Sequence, residues 1–351
     1  MPRRPITPPP EAATSRPRAT IDDVAREAGV SKATVSRVLN PGGKWLTPEI
    51  TARVQATIDR LGYVPSPIAQ GLKRGRSRMV GLVVADVANP FSVAVLRGAE
   101  KACRDAGYMV MLFNLGNEDA REREAIAVLA KYQVEGLLLH TLGHEPAALA
   151  DAARHGKPVV LIDRRVSDAQ LDLVGLDNAG AVRLAAGHLL EAGYRDLLFV
   201  SEPMKGVSSR EERAAAFRAF LSGSDVRAEV FESPAADEAT LDAALRALRK
   251  RAGRARPAVL AANAVIALRV VGAAQRLGWS LGEELGLVGF DDPDWAPFVG
   301  PGLSTIAQPT DDIGRLAVRC LIERLDGQAL PARQILLPGR LVVRGSSQPT
   351  R

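Results

Sequence analysis

Between Ser31 and Arg37 the chain gathers residue types suited to a nucleic-acid surface: long donors at Lys32 and Arg37, hydroxyls at Ser31, Thr34 and Ser36, and a small side chain at Ala33. A helix that enters a major groove needs small residues where it nears the DNA and donors aimed at base edges. On a helix, Lys32, Ala33, Ser36 and Arg37 share one side. Lys32, Ala33 and Arg37 are the candidates for base readout, and Arg37 can offer two N–H groups to one guanine. Ser31 and Thr34 suit phosphate oxygens, which set register without reading sequence. An isolated arginine on a helix is usually a solvated charge, so the set carries the inference. Catalytic chemistry is poorly supplied. The chain has four histidines, and His140 and His144, the nearest approach to a metal pair, straddle Thr-Leu-Gly in an expected loop. No Gly-rich phosphate loop follows the apolar run ending at Ala85. Neither a metal, a cofactor nor an enzymatic reaction is expected.

The elements that must position these residues follow from periodicity. Ile21, Val24, Ala25 and Ala28 predict a first helix, ended by Gly29. Ser31 caps a second with Val35, Val38 and Leu39 on its buried face, and Thr47-Pro48-Glu49 opens a third that runs through Ile50, Val54, Ile58 and Leu61. Residues 1–19 are rich in Pro and Arg with few large apolar side chains, which predicts a disordered tail. From Val80 the grammar changes. Short apolar runs at Val80–Ala85, Met109–Phe113, Gly136–Leu139 and Val159–Ile162 alternate with amphipathic segments, the pattern of a parallel sheet with crossover helices. A second round places strands at Leu197–Val200, Val259–Ala262 and Leu285–Val288, so two α/β lobes are expected. Strands at Ser304–Ile306, Ile335–Leu337 and Leu341–Val343 and a helix at Thr310–Leu325 complete them.

Charge agrees with this division. Residues 1–78 hold 14 Lys+Arg against 6 Asp+Glu, while residues 79–351 hold 32 against 34, so the basic front end is the part that should meet a polyanion. Cys103 and Cys320 lie among apolar neighbours and read as buried thiols of a reducing compartment. No apolar stretch approaches the roughly 20 residues of a membrane span, so a cytoplasmic protein without a membrane partner is expected.

The run IDDVAREAGVSKATVSRVLN, Ile21 to Asn40, resembles the headpiece of the LacI/GalR family of transcriptional regulators, and the resemblance continues towards residue 345. It implies a small all-α helix-turn-helix headpiece joined to a two-lobed α/β effector domain like a type I periplasmic binding protein. The implied boundaries are a tail at 1–19, a DNA-binding domain at 20–65, a hinge helix and linker at 66–78, an N-terminal lobe from 79–176 plus 306–335, and a C-terminal lobe from 177–305 plus 336–351. It further implies that Ser66–Lys73 becomes helical on DNA, with Ala69, Leu72 and Lys73 as contacts and Leu72 wedged into the minor groove. Eight residues containing Gly71 are too short to hold a helix unaided. Taken alone, Leu72 reads equally well as a packed linker residue. The turn from Asn40 to Thr47 is about one residue longer than the family pattern, which leaves the packing of Trp45 open.

Carried over residue by residue, the family's ligand positions fall on Phe91, Ser92, Asp163, Arg213, Asn263 and Asp291. Several follow apolar strands, where α/β folds place their sites. Ala264 stands where many relatives have Asp, which weakens the case for Asn263. Arg210, beside Ser208 and Ser209, adds a second guanidinium and favours an anionic ligand. Trp295 is either a wall for a sugar ring or a core residue. A lone Asp after a strand is more often a cap or turn residue than a ligand contact, so the set again outweighs its members. The stretches Ser201–Arg213 and Val174–Asn178 resemble the branch regulating use of gluconate, 2-ketogluconate or ketodeoxygluconate. The expectation is a repressor that binds double-stranded operator DNA as a homodimer and is released by a sugar or sugar acid. A tetramer stays open, although no heptad tail follows Arg344. The alternatives are a ligand-dependent activator, a co-repressor-dependent regulator, or a solute-binding protein without a DNA role.

Overall fold

The computed structural model describes residues 19–39, 46–65, 76–118, 120–141, 156–166, 169–234 and 237–348. They fall into two compact units divided between Ser77 and Arg78.

The first unit contains α1 (Ile21–Glu27), α2 (Lys32–Val38) and α3 (Pro48–Leu61). Thr20 caps α1, and the Asp23 carboxylate returns a contact by accepting the Thr20 N–H at 2.9 Å. Gly29, at φ +64°, takes the left-handed conformation that turns α1 into α2, and Ser31 caps α2 by accepting the Thr34 N–H at 3.2 Å. Helices this short are marginal alone and are held by the apolar cluster of Val24, Ala25, Ala28, Val35, Val54 and Ile58.

The second unit is built on two six-stranded sheets. One has the order β11-β5-β4-β3-β1-β2 and is wholly parallel. Its strands are β1 (Met79–Val84), β2 (Met109–Asn114), β3 (Gly136–Leu139), β4 (Val159–Ile162), β5 (Asp172–Leu176) and β11 (Gln334–Leu337). The other has the order β12-β10-β9-β8-β6-β7, and only the β10–β12 pair is antiparallel. It comprises β6 (Asp196–Ser201), β7 (Arg227–Glu232), β8 (Pro257–Ala261), β9 (Gly286–Phe290), β10 (Ser304–Ala307) and β12 (Arg340–Val342). The inner strands are buried on both faces, which is why they appear as continuous apolar runs. The chain passes to the second sheet after β5, returns after β10, and crosses again between β11 and β12, so the two lobes share three connections.

Seven helices cover the sheets among the described residues: α4 (Pro90–Asp105), α5 (Ala120–Lys131), α6 (Asn178–Glu191), α7 (Ser208–Leu221), α8 (Glu238–Ala252), α9 (Ala264–Leu277) and α10 (Thr310–Leu325). Although α10 follows a strand of the second sheet, it packs on α4 in the core of the first. Gly98 and Gly314 form that seam. A Cβ at Gly98 would collide with the Asp311 backbone, 2.8 Å from its Cα, and one at Gly314 would lie 2.6 Å from the Ala99 nitrogen. Cys103 and Cys320 are both free and buried, and burial, with Glu100 nearby, pushes the Cys103 thiol up to about 11.

Two strands were not expected from the sequence. β7 is a largely exposed edge whose RAEVFE sequence lacks an apolar run. β5 begins with Asp172, a residue rare in buried strands, which is neutralised by Arg324 at 3.0 Å and Arg333 at 2.9 Å.

Candidate functional site

On α2, Val35 is buried in the small core while Lys32, Ala33 and Arg37 are exposed, so the three residues proposed for base readout stand clear of the packed face. Ser36 and Thr34 are half-buried, and Thr34 Oγ1 lies 3.0 Å from Ser31 Oγ. Lys32 reaches Asp22 at 2.5 Å, but both side chains are more than half exposed, and such a pair is readily exchanged for a phosphate. Ala69, Leu72, Lys73, Trp45 and His144 lie outside the described residues.

In the second unit, the proposed effector residues other than Trp295 come from strand ends and helices of both lobes. Phe91 and Ser92 occupy the first turn of α4, where Asn89 Oδ1 accepts the Phe91 N–H at 3.0 Å. Asp163 follows β4 and Asp291 follows β9. Both adopt left-handed backbone, at φ +62° and +71°, a conformation that non-glycine residues hold mostly where function or packing demands it. Arg213 reaches inward from α7. It lies over the Phe290 ring at 4.3 Å and donates from Nε to Asn178 Oδ1 at 2.8 Å and from Nη1 to the Ala262 carbonyl at 2.7 Å. Its remaining Nη2 faces Asp163 Oδ1 of the other lobe at 3.7 Å, too far for a hydrogen bond. Asn263 caps α9 and donates to Glu202, and Arg210 pairs with the same carboxylate. Trp295 is half-buried and packs against the apolar cluster around α9.

The structure adds residues that the sequence did not assign to an effector site. His140 follows β3, meets the Phe91 ring edge-on at 5.3 Å, and sits with Nε2 3.6 Å from Asp163. Arg164, next to Asp163, is buried and donates to the Thr141 carbonyl at 3.0 Å. Gln308, after β10, donates to Asp291 at 2.7 Å. Their signal was positional: each stands at or beside the carboxyl end of a strand. Several atoms here are buried without a hydrogen-bond partner: Ser92 Oγ, both His140 ring nitrogens, Asp163 Oδ1, Arg164 Nε and Gln308 Oε1. Orphaned polar atoms are costly in a protein interior, and a cluster of them marks a surface built for a polar ligand.

Electrostatics separate the two carboxyls. Burial by itself raises the proton affinity of Asp163, but His140, Arg213 and Arg164 more than offset it and hold the group well below the usual carboxylate range. Asp291 is raised, because burial outweighs Arg213 and its hydrogen bonds from Ala264 and Gln308. Burial, helped by Arg164, pushes His140 down to about 4, so its imidazole is neutral at pH 7. A buried acid with a raised pKa binds more protons in the folded state than in the unfolded one, and stability falls as pH rises from the ordinary value to the raised one. Asp291→Asn should therefore raise the melting temperature of the unliganded protein at pH 7 while weakening effector binding. The Gln308 amide can flip to present its unpaired oxygen to the new side chain. Melting curves across pH test this, and a variant no more stable at pH 7 would contradict it. Among the described residues no group of three or more His, Cys, Asp or Glu is placed to hold a metal ion, and no helix is long and apolar enough to cross a membrane.

Residues 20–66 match the family model for bacterial regulatory proteins of the lacI family, and residues 186–347 match the periplasmic binding protein-like domain. The HTH-type transcriptional regulator PtxS of Pseudomonas plecoglossicida is 46% identical over 334 residues, covering 95% of this chain and 97% of that protein. The HTH-type transcriptional regulator KdgR of Bacillus subtilis (strain 168) is 38% identical, with 93% and 97% covered. The ribose operon repressor of Escherichia coli (strain K12) is 31% identical, with 94% and 100% covered. Among solved structures, the lac repressor dimer bound to operator and the anti-inducer ONPF superposes with a TM-score of 0.81 at 26% identity, over 95% of this chain and all of that one. A chain so similar to these regulators over nearly its whole length belongs to the LacI family and is a DNA-binding transcriptional regulator, not an enzyme.

Proposed function

We propose that this regulator is a repressor that holds operator DNA as a homodimer in the cytoplasm and releases it on binding a sugar acid, with gluconate, 2-ketogluconate and ketodeoxygluconate as the candidate effectors. The observation that carries the effector class is the convergence of three guanidinium groups, Arg164, Arg210 and Arg213, on a cluster of unpaired buried polar atoms. Hydroxyls can satisfy the orphaned atoms, and a carboxylate suits the guanidiniums. In this reading residues 20–65 bind DNA, and 66–78 form a hinge in which Ala69, Leu72 and Lys73 touch the minor groove and its phosphates. The lobe bounds expected at 306–335 and 336–351 move by two residues, giving an N-terminal lobe of 79–176 plus 308–337 and a C-terminal lobe of 177–307 plus 338–351, since β10 belongs to the second sheet and β11 to the first. Lys32, Ala33 and Arg37 read the bases, Ser36 lies on the same side of α2, and Ser31 and Thr34 meet the phosphates. A two-fold operator needs two headpieces, which favours the dimer. Repression is favoured by the similarity to a protein named as a ribose operon repressor.

Effector and operator are coupled through one free energy, so each must weaken the other equally, typically by about 1–3 kcal/mol. The test is a thermal-shift screen of the full chain against neutral sugars, sugar acids and purines, followed by effector titration with and without operator. Stabilisation by sugar acids, with weaker binding when operator is present, is expected. Stabilisation by purines alone would overturn the effector class, and tighter effector binding in the presence of operator would make the ligand a co-repressor.

A further inference from the structure

Glu202 stands directly after β6, the place that Asp163 takes after β4 and Asp291 after β9. One of its oxygens, Oε2, accepts from Asn263 Nδ2 at 2.6 Å and also lies 2.7 Å from Nη2 of Arg210. Both partners belong to the proposed effector set. Their other groups are engaged within the same lobe: Arg210 Nη1 donates to the Pro203 carbonyl at 2.9 Å, and Asn263 Oδ1 accepts the Ile266 N–H at 2.9 Å. Two of the donors that an incoming carboxylate would use are thus already held by a carboxylate of the chain. The facing wall differs, since Ser92 Oγ, both His140 ring nitrogens, Asp163 Oδ1 and Arg164 Nε have no hydrogen-bond partner.

We propose that Glu202 is an internal competitor for the effector: an anionic ligand that takes Arg210 and Asn263 must displace it, so Glu202 sets the affinity for anions. The proposal rests on the effector reading of the cleft. Displacement is feasible because the Glu202 and Arg210 side chains are 18% and 15% exposed, and a carboxylate that swings outward regains water. When only a fraction of molecules has the donors free, the apparent dissociation constant is the intrinsic one divided by that fraction. A hydroxyl cannot take over the counter-charge of Arg210. Displacement by a neutral sugar would leave a half-buried guanidinium unpaired, so a neutral sugar does not compete for this contact.

The test is calorimetric titration of gluconate and 2-ketogluconate, with ribose as the neutral control, into full-length wild type and Glu202→Gln. Glutamine keeps the size of the side chain and an oxygen for Asn263, but lacks the charge that occupies Arg210. Affinity for the sugar acid should rise about tenfold, which corresponds to ~1.4 kcal/mol, while the response to ribose stays unchanged. Sugar-acid binding detected only in the variant would support the proposal in the same way. Equal or weaker sugar-acid binding by the variant, or an equal gain for ribose, overturns it. If Glu202→Gln melts early, Glu202→Asp, one methylene too short to span both donors, must show a gain in the same direction. If no protein binds either acid, the effector reading itself fails and takes the proposal with it.

Discussion

Arg213→Lys should lower effector affinity on the order of 100-fold and leave the unliganded protein bound to its operator. The guanidinium is held by three different groups: the Phe290 ring, the Asn178 side chain at 2.8 Å and the Ala262 carbonyl at 2.7 Å. A lysine ammonium keeps the charge but cannot lie flat on the ring and donate along two fixed directions. A donor no longer aimed by these contacts loses one or two charge-assisted hydrogen bonds to the effector, and at about 1.5–3 kcal/mol each that gives the stated factor. Arg213→Ala goes further. It strips the buried Asp163 of a nearby positive charge, and removing one side of a buried pair costs about 3–5 kcal/mol. Asp163 has a depressed pKa when folded, so its stabilising contribution is present above the ordinary carboxylate value of about 3.9 and is lost as pH falls through the folded value. Without Arg213 that contribution should be smaller and its loss complete at a higher pH. Calorimetric titration, operator binding and acid melting separate these effects, and an unchanged effector affinity in Arg213→Lys would remove this residue from the site.

The second large effect is expected on DNA. Arg37→Ala should weaken operator binding by about 1–3 kcal/mol, roughly 5- to 150-fold, and most of the loss should disappear on operators altered at the base pair it reads. Arg37 is exposed on α2, so its removal should leave the fold and melting temperature of the headpiece nearly unchanged. Fluorescence anisotropy against a panel of single-substituted operators measures the pattern. An equal loss on every sequence would reassign Arg37 to the phosphates.

The headpiece was legible because its determinants are local. Ser31 caps within three residues, Gly29 turns within one, and Val24, Val35, Val54 and Ile58 meet through periodic helical faces. The apolar strands were legible for a similar reason, since a strand buried on both faces has no polar positions to disguise it. β5 and β7 escaped because their signals lie elsewhere in the chain: β5 depends on Arg324 and Arg333 to neutralise Asp172, and β7 is an edge with little to bury. The cleft shows the same limit. Asp163, Arg213 and Asp291 were named through family resemblance, whereas His140, Arg164, Glu202 and Gln308 acquire meaning only when two sheets bring several strand ends together. No periodicity encodes that meeting. Trp295 illustrates the converse, because an aromatic in a loop after a strand looks the same in sequence whether it faces a cavity or, as here, a helix-covered core.

The glycine seam between α4 and α10 has a mechanical consequence. Side chains at an interface act as a cushion, taking up small displacements by changing rotamer, but Gly98 and Gly314 leave backbone against backbone with no cushion to compress. Gln308 stands two residues before α10, and Phe91 and Ser92 stand in the first turn of α4, so the two helices that meet at the seam each begin at the candidate site. Widening the seam by even a methyl group would put slack into that linkage.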